Sequence, residues 1–150
     1  MRAKKIMLIG ARKSGKTTLS DWINGTKGAV NRAANIRYDK WTIDIPGAYL
    51  ECPWMHCHLI SAAQDAFCVL MLVDQSYPKE VYPPGFAKSF RMPVLGVITK
   101  SDQHMERRGL STQQLKRAGI APPYYCVTKE EENFLELKKV IMQLVKRGEA

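Results

Sequence analysis

Ile6-Met7-Leu8-Ile9, followed by Gly10-Ala11-Arg12-Lys13-Ser14-Gly15-Lys16-Thr17, is the stretch that decides the fold. The apolar run reads as a buried strand, and the Gly-x-x-x-x-Gly-Lys-Thr spacing behind it reads as a tight turn into a helix. Such a turn is built for phosphate. Gly10 and Gly15 let the backbone wrap an anion, and the N–H groups of Ser14, Gly15, Lys16, Thr17 and Thr18 turn inward at the positive end of the helix. Lys13 is a further phosphate-binding candidate. Lys16 reaches the β and γ phosphates, and the Thr17 hydroxyl suits Mg²⁺. The competing reading is a glycine turn that happens to carry Lys and Thr. Four constrained positions coincide by chance in about one in 200 chains of this length, and the strand and helix around them lower the odds further.

Outward from this loop, further apolar runs alternate with amphipathic stretches: Trp41 to Ile45, Phe67 to Val73, Val94 to Ile98 and Tyr124 to Val127. A parallel sheet with crossover helices has this rhythm. Asn35 to Asp39 reads as a short polar edge strand. Helices are expected to start near Lys16, Pro53, Ser111 and Glu131. In the last, Phe134, Leu137, Val140, Ile141, Leu144 and Val145 recur at helical spacing. Gln75 to Phe90, broken by Pro78, Pro83, Pro84 and Gly85, reads as an irregular connection.

The chain of 150 residues, 45% hydrophobic and 25% charged, suits one domain spanning 1–150 and can bury about two thirds of its unfolded surface. Ala66 to Val73 is the longest apolar run, far short of the roughly 20 residues of a membrane span. No signal-peptide pattern develops before Arg12 and Lys13, so a soluble intracellular protein is expected. Cys52, Cys57, Cys68 and Cys126 form no C-x-x-C pair and read as reduced thiols. The net charge of +9 is spread along the chain without a groove-reading motif, so it is assigned to a solvated, anion-attracting surface and not to nucleic acid.

Two more elements follow predicted strands. Asp44-Ile45-Pro46-Gly47 reads as D-x-x-G, in which Asp44 holds Mg²⁺ through water and Gly47 presents its N–H to a γ phosphate. A turn with an N-capping Asp is the alternative. Thr99-Lys100-Ser101-Asp102 reads as [NT]-K-x-D. The Asp102 carboxylate accepts from the guanine ring N1 and exocyclic amine while the Lys100 stem packs over the base; adenine lacks that donor pair. Thr128, after the last strand, is a further base-side candidate.

Together these residues resemble the Ras-like P-loop GTPase superfamily. IDIPGAYLE (Ile43 to Glu51), YPPGFA (Tyr82 to Ala87) and PVLGVITKSD (Pro93 to Asp102) are more closely similar to the ethanolamine- and propanediol-utilisation P-loop proteins EutP and PduV, associated with bacterial microcompartments. The resemblance covers nearly the whole chain. It implies a three-layer α/β fold with a mostly parallel six-stranded sheet and one antiparallel edge strand. It also implies GTP or GDP with Mg²⁺ as ligands, a cytoplasmic setting at or near a microcompartment, and a shell or enzyme partner.

Departures from the superfamily pattern bear on activity. Where switch I regions supply a Thr to Mg²⁺, this chain has Arg32-Ala33-Ala34, with no Ser or Thr from 27 to 41. Ala48 stands where a Gln would orient the attacking water, so hydrolysis is expected to be slow. Arg12 and Lys13 fall where a γ phosphate would sit close by; they act as a built-in arginine finger, with Arg12 the candidate catalytic cation, or point into solvent. Cys52, His56, Cys57 and His58 crowd one segment, but their spacing fits no closed zinc pattern, and partly buried thiols with surface imidazoles are expected. Trp54 and Met55 form either an exposed partner patch or core packing, and core packing, the commoner case, is expected.

Three functions compete: a weak guanine-nucleotide hydrolase using Lys16 and Arg12, a phosphotransferase acting on a small carboxylate acceptor, and a non-hydrolysing interaction module.

Overall fold

Alternation along one strand organises the core. In β1 (Lys5–Ile9), Ile6 and Leu8 face one side of the sheet and Met7 and Ile9 the other, and all four are buried. A strand covered on both faces must be apolar throughout, which is why residues 6–9 show no polar alternation. The computed structural model describes residues 5–25, 36–128 and 130–149. The Arg32-Ala33-Ala34 stretch and Lys129 lie outside them.

The remaining strands are β2 (Arg37–Tyr38), β3 (Thr42–Asp44), β4 (Ala66–Asp74), β5 (Val94–Thr99) and β6 (Tyr125–Cys126). They form a six-stranded sheet in the order β2-β3-β1-β4-β5-β6, parallel except for the β2–β3 edge pair. The mostly parallel sheet with one antiparallel edge strand is therefore as expected. From β1 the chain crosses to β3 on one side and later to β4 on the other. The carboxyl ends part at that reversal, and the phosphate loop occupies the gap.

α1 (Lys16–Asn24) and α5 (Leu135–Glu149) cover one face, where Leu19, Phe134, Leu137 and Ile141 pack on Leu70, Leu72 and Val97. The other face carries α2 (Gly47–Glu51), α3 (His56–Ala62) and α4 (Arg108–Arg117). Several boundaries differ from the sequence reading. The helix expected near Pro53 starts there as a 3-10 turn, Pro53–Met55, that runs into α3, while α2, just before the proline, is a helix the sequence reading lacked. α4 starts at Arg108 rather than Ser111, behind a 3-10 turn at Met105–Arg107; basic residues and Gly109 carry no apolar period to announce it. A 3-10 turn at Glu131–Phe134 precedes α5.

The segment 75–90 is more than an irregular connection. Val81, Tyr82, Phe86 and Phe90 pack into the core, and the Tyr82 hydroxyl donates to the carbonyls of Leu72 and Ile9 at 2.7 and 3.2 Å. Gly85 and Ala87 donate backbone hydrogen bonds to Arg117 and Ala118. The segment thus forms part of the core layer on the face that carries α2, α3 and α4.

Trp54 is 74% exposed, which corrects the expectation of core packing: it lies in the Pro53 turn, outside the apolar faces of α2 and α3. Met55 is half-buried. Among the described residues no helix is long and apolar enough to cross a membrane.

Candidate phosphate-loop site

The loop between β1 and α1 has the shape its glycines permit. Gly15 sits at φ 94°, the left-handed region open to glycine, and Lys13 at φ 61°. Gly47 lies against this loop: a Cβ there would stand 2.5 Å from the Arg12 amide nitrogen, so only glycine lets the start of α2 approach so closely. The D-x-x-G glycine and the phosphate loop are thereby neighbours.

Lys16, 8% exposed, folds back over its own loop and donates to the carbonyls of Gly10 and Ala11, both at 2.9 Å. Burial lowers its ammonium to about 8, with Asp44 and Glu51 opposing that shift. Ser14 is buried beside it, whereas Lys13 and Thr18 are exposed and Thr17 is half-buried.

A buried hydrogen bond ties α1 to β3, with Ser20 Oγ and Thr42 Oγ1 3.0 Å apart. Thr17 stands on the same helical face one turn before Ser20, and Asp44 on the same sheet face two residues beyond Thr42. Since α1 runs back along the sheet, both lie toward the carboxyl ends of the strands. Burial raises the Asp44 carboxyl, against the pull of Lys16 and Arg37. Its ion-pair neighbour, Arg37, is 3.9 Å away. A desolvated, loosely compensated carboxylate at the same end of the sheet as the Thr17 hydroxyl is the donor chemistry that suits a hard divalent cation. Among the described residues no three His, Cys, Asp or Glu side chains converge on a metal cage.

The T-K-x-D segment is joined to the loop. Thr99 Oγ1 donates to the Ser14 carbonyl at 2.6 Å, and Lys100 Nζ donates to the Lys13 carbonyl at 3.1 Å. Asp102 is exposed on the turn after β5. The Ser101 amide donates to the Val127 carbonyl at 3.1 Å, which lays that turn beside Thr128.

Arg12 does not point into the loop. Its side chain is 69% exposed and pairs with Glu51 of α2 at 3.5 Å, while Lys79 holds the other Glu51 oxygen at 2.8 Å. These contacts keep the Glu51 carboxyl below its ordinary range, the Lys79 hydrogen bond first among them. A cavity of about 430 Å³ opens outside the loop tip, lined by Arg12, Lys13, Glu51, Lys79 and Lys100 over a floor that includes Leu72 and Val73.

The Cys/His segment differs from expectation in two places. His56 is half-buried, its Nε2 2.8 Å from the Leu50 carbonyl and its ring 4.9 Å from that of Phe86, and Cys57 is exposed. The bend at Pro53 turns His56 inward and Cys57 outward. All four cysteines are free, and burial pushes the Cys68 thiol up to about 12.

Sequence reasoning passed over Glu51, Asp74, Gln75 and Lys79. Asp74 and Gln75 end the β4 apolar run just as Asp44 ends that of β3, and this was the available signal.

The comparisons with known proteins agree with this fold. The chain is 30% identical over 135 residues to "Propanediol utilization protein PduV" of Citrobacter freundii, covering 89% of this chain and 90% of that one. It is 27% identical over 125 residues to "Probable acetate kinase EutP" of Salmonella typhimurium, covering 81% and 78%. Among solved structures, the "probable GTP-binding protein engB" superposes with a TM-score of 0.67 at 18% identity, over 95% of this chain and 99% of that one. The fold is thus that of the GTPase-like P-loop domains. Residues 3–143 match the family model PduV-EutP, described as ethanolamine utilisation and propanediol utilisation, and the chain belongs to that family.

Proposed function

We propose that this chain is a guanine-nucleotide-binding protein with slow Mg²⁺-dependent GTP hydrolysis, serving a propanediol- or ethanolamine-type pathway associated with a bacterial microcompartment. The observation that carries the reading is the pair of bonds from Thr99 and Lys100 to the carbonyls of Ser14 and Lys13, which couples the base-reading turn to the phosphate loop.

In this reading Gly10, Lys13, Ser14, Gly15, Lys16, Thr17, Thr18 and Gly47 surround the phosphates. Lys16 leaves the carbonyls of Gly10 and Ala11 for the β and γ phosphates, which exchanges neutral acceptors for ionised ones. Thr17 and Asp44 hold Mg²⁺, whose charge, when bound, offsets that of the phosphates. Asp102 accepts from the guanine N1–H and amine, Lys100 covers the base, and Thr99 and Thr128 flank it. Ala48 offers no group to orient water, so turnover is slow. Arg12 reaches the γ phosphate only after leaving Glu51.

Titration with fluorescent GTP, GDP and ATP analogues tests this. Guanine-selective binding is expected, with Lys16→Ala weakening every nucleotide and Asp102→Ala only the guanine forms; equal affinity for ATP sinks the assignment.

A second reading is favoured by the cation-lined cavity at the loop tip and by the name of the Salmonella relative. A carboxylate bound beside Arg12 and Lys79 would attack the γ phosphorus, forming an O–P bond as the bond to the β–γ bridging oxygen breaks and the nucleoside diphosphate leaves. Trapping of acyl phosphate after incubation with nucleoside triphosphate and acetate or propionate supports it. Phosphate release indifferent to every acceptor counts against it.

A further inference from the structure

The turn after β5 is held from below by the last residue of β4 and the one after it. Asp74 is 8% exposed and stands opposite Thr99 in the sheet register. One of its carboxylate oxygens accepts from Lys100 Nζ at 2.8 Å, and the other from the Ser76 amide and hydroxyl at 2.9 and 2.5 Å. Lys100 is itself at φ 53°, a conformation uncommon outside glycine. Its ammonium is fixed between the Asp74 carboxylate and the Lys13 carbonyl, which sets the direction of the stem.

Gln75 is fully buried and every polar atom of its amide is engaged. Nε2 donates to the Ser101 carbonyl at 2.9 Å and to the Gln103 carbonyl at 2.7 Å. Oε1 accepts from Arg108 Nε, and Arg108 Nη2 donates to the same Ser101 carbonyl at 2.9 Å. The two carbonyls gripped by Gln75 flank Asp102, whose own side chain is exposed. A buried amide that closes a turn on both sides of one residue fixes that residue's backbone and the origin of its side chain.

We infer that Asp74 and Gln75 are positioning residues for guanine recognition, Asp74 by aiming the Lys100 stem and Gln75 by setting the Asp102 carboxylate through the carbonyls on either side of it. The inference rests on the guanine-nucleotide reading above and goes beyond it in naming what holds the base reader in place.

Calorimetric titration of the full chain with Mg-GTP, Mg-ITP and inorganic tripolyphosphate tests it, in the wild type, Gln75→Glu and Asp74→Asn. Inosine lacks the exocyclic amine, so the GTP:ITP affinity ratio reports the placement of Asp102, whereas tripolyphosphate reports the phosphate loop and the integrity of the fold. In Gln75→Glu a carboxylate faces the carbonyls of Ser101 and Gln103. The GTP:ITP ratio is expected to fall about tenfold toward unity, with tripolyphosphate affinity retained. In Asp74→Asn, GTP and ITP are expected to weaken together by about fivefold, again with tripolyphosphate unchanged. If Gln75→Glu does not fold, Gln75→Met, which removes the same hydrogen bonds to the Ser101 and Gln103 carbonyls without adding a charge, takes its place with the same expected fall in the GTP:ITP ratio. Wild-type affinities and ratios in the variants overturn the inference, as does an equal loss for all three ligands, which marks a purely structural role. A wild-type protein that does not prefer GTP to ATP removes the underlying reading instead.

Discussion

Lys16 concentrates the electrostatics of the site in one side chain. Its folded value of about 8 lies below the ordinary 10.5, because burial disfavours the ammonium. Between these values the unfolded chain holds a proton that the folded chain has released, so stability without nucleotide rises with pH from 8 to 10.5. The gain is at most about 3 kcal/mol, and a Lys16→Met variant lacks it. Phosphate, by contrast, needs the charged form, so nucleotide affinity is expected to be flat below pH 8 and to fall above it. Urea denaturation and titrations across that range check both signs; the same stability slope in wild type and Lys16→Met would refute the assignment. Local geometry was legible where spacing carried it, as with the turn from Gly10 to Gly15 and the helix that starts at Lys16. Legibility failed where a side chain's direction depends on a distant partner. Nothing local told that Arg12 would pair with Glu51, or that His56 would turn inward onto Leu50.

Helix α1 and strand β3 are locked by polar atoms inside an apolar layer. Thr42 Oγ1 accepts from Asn24 Nδ2 at 2.8 Å and pairs with Ser20, while Asn24 Oδ1 accepts from the Trp41 amide at 2.9 Å. Thr42→Val keeps the shape and removes the hydroxyl, leaving Ser20 and Asn24 short of a partner in a buried place. A cost of about 1–2 kcal/mol in urea unfolding is expected, together with weaker phosphate binding, because Thr17 and Asp44 are registered through this contact. Unchanged stability would show that water replaces the hydroxyl. Strand positions were legible because a two-sided core forces continuous apolar runs. The helix starts were less so. Helix α2 is too short to show an apolar period, and Gln75 to Phe90 holds its place through Tyr82 and backbone bonds to α4, which leave no periodic trace.

At the scale of the whole molecule, loop, D-x-x-G turn and T-K-x-D turn meet at one end of the sheet, on strands β1, β3 and β5. A ligand that bridges them stabilises the entire fold by linkage. Mg-GTP at a hundred times its dissociation constant is expected to add about 2.7 kcal/mol, a rise in Tm of about 5–10 °C, and Lys16→Ala to lose the shift. A melting temperature indifferent to nucleotide would favour an interaction module. The topology was readable from the alternation of runs and motifs, whereas the clamp made by Asp74 and Gln75 was not, since it joins residues about 26 positions apart. The most direct measurement is the nucleotide preference of Asp102→Asn. Xanthine carries a carbonyl where guanine carries its amine, so an amide at 102 complements it as the carboxylate complements guanine. The wild type is expected to prefer GTP to XTP and Asp102→Asn to reverse the order. A variant that loses neither GTP affinity nor selectivity would contradict the claim that this chain reads guanine.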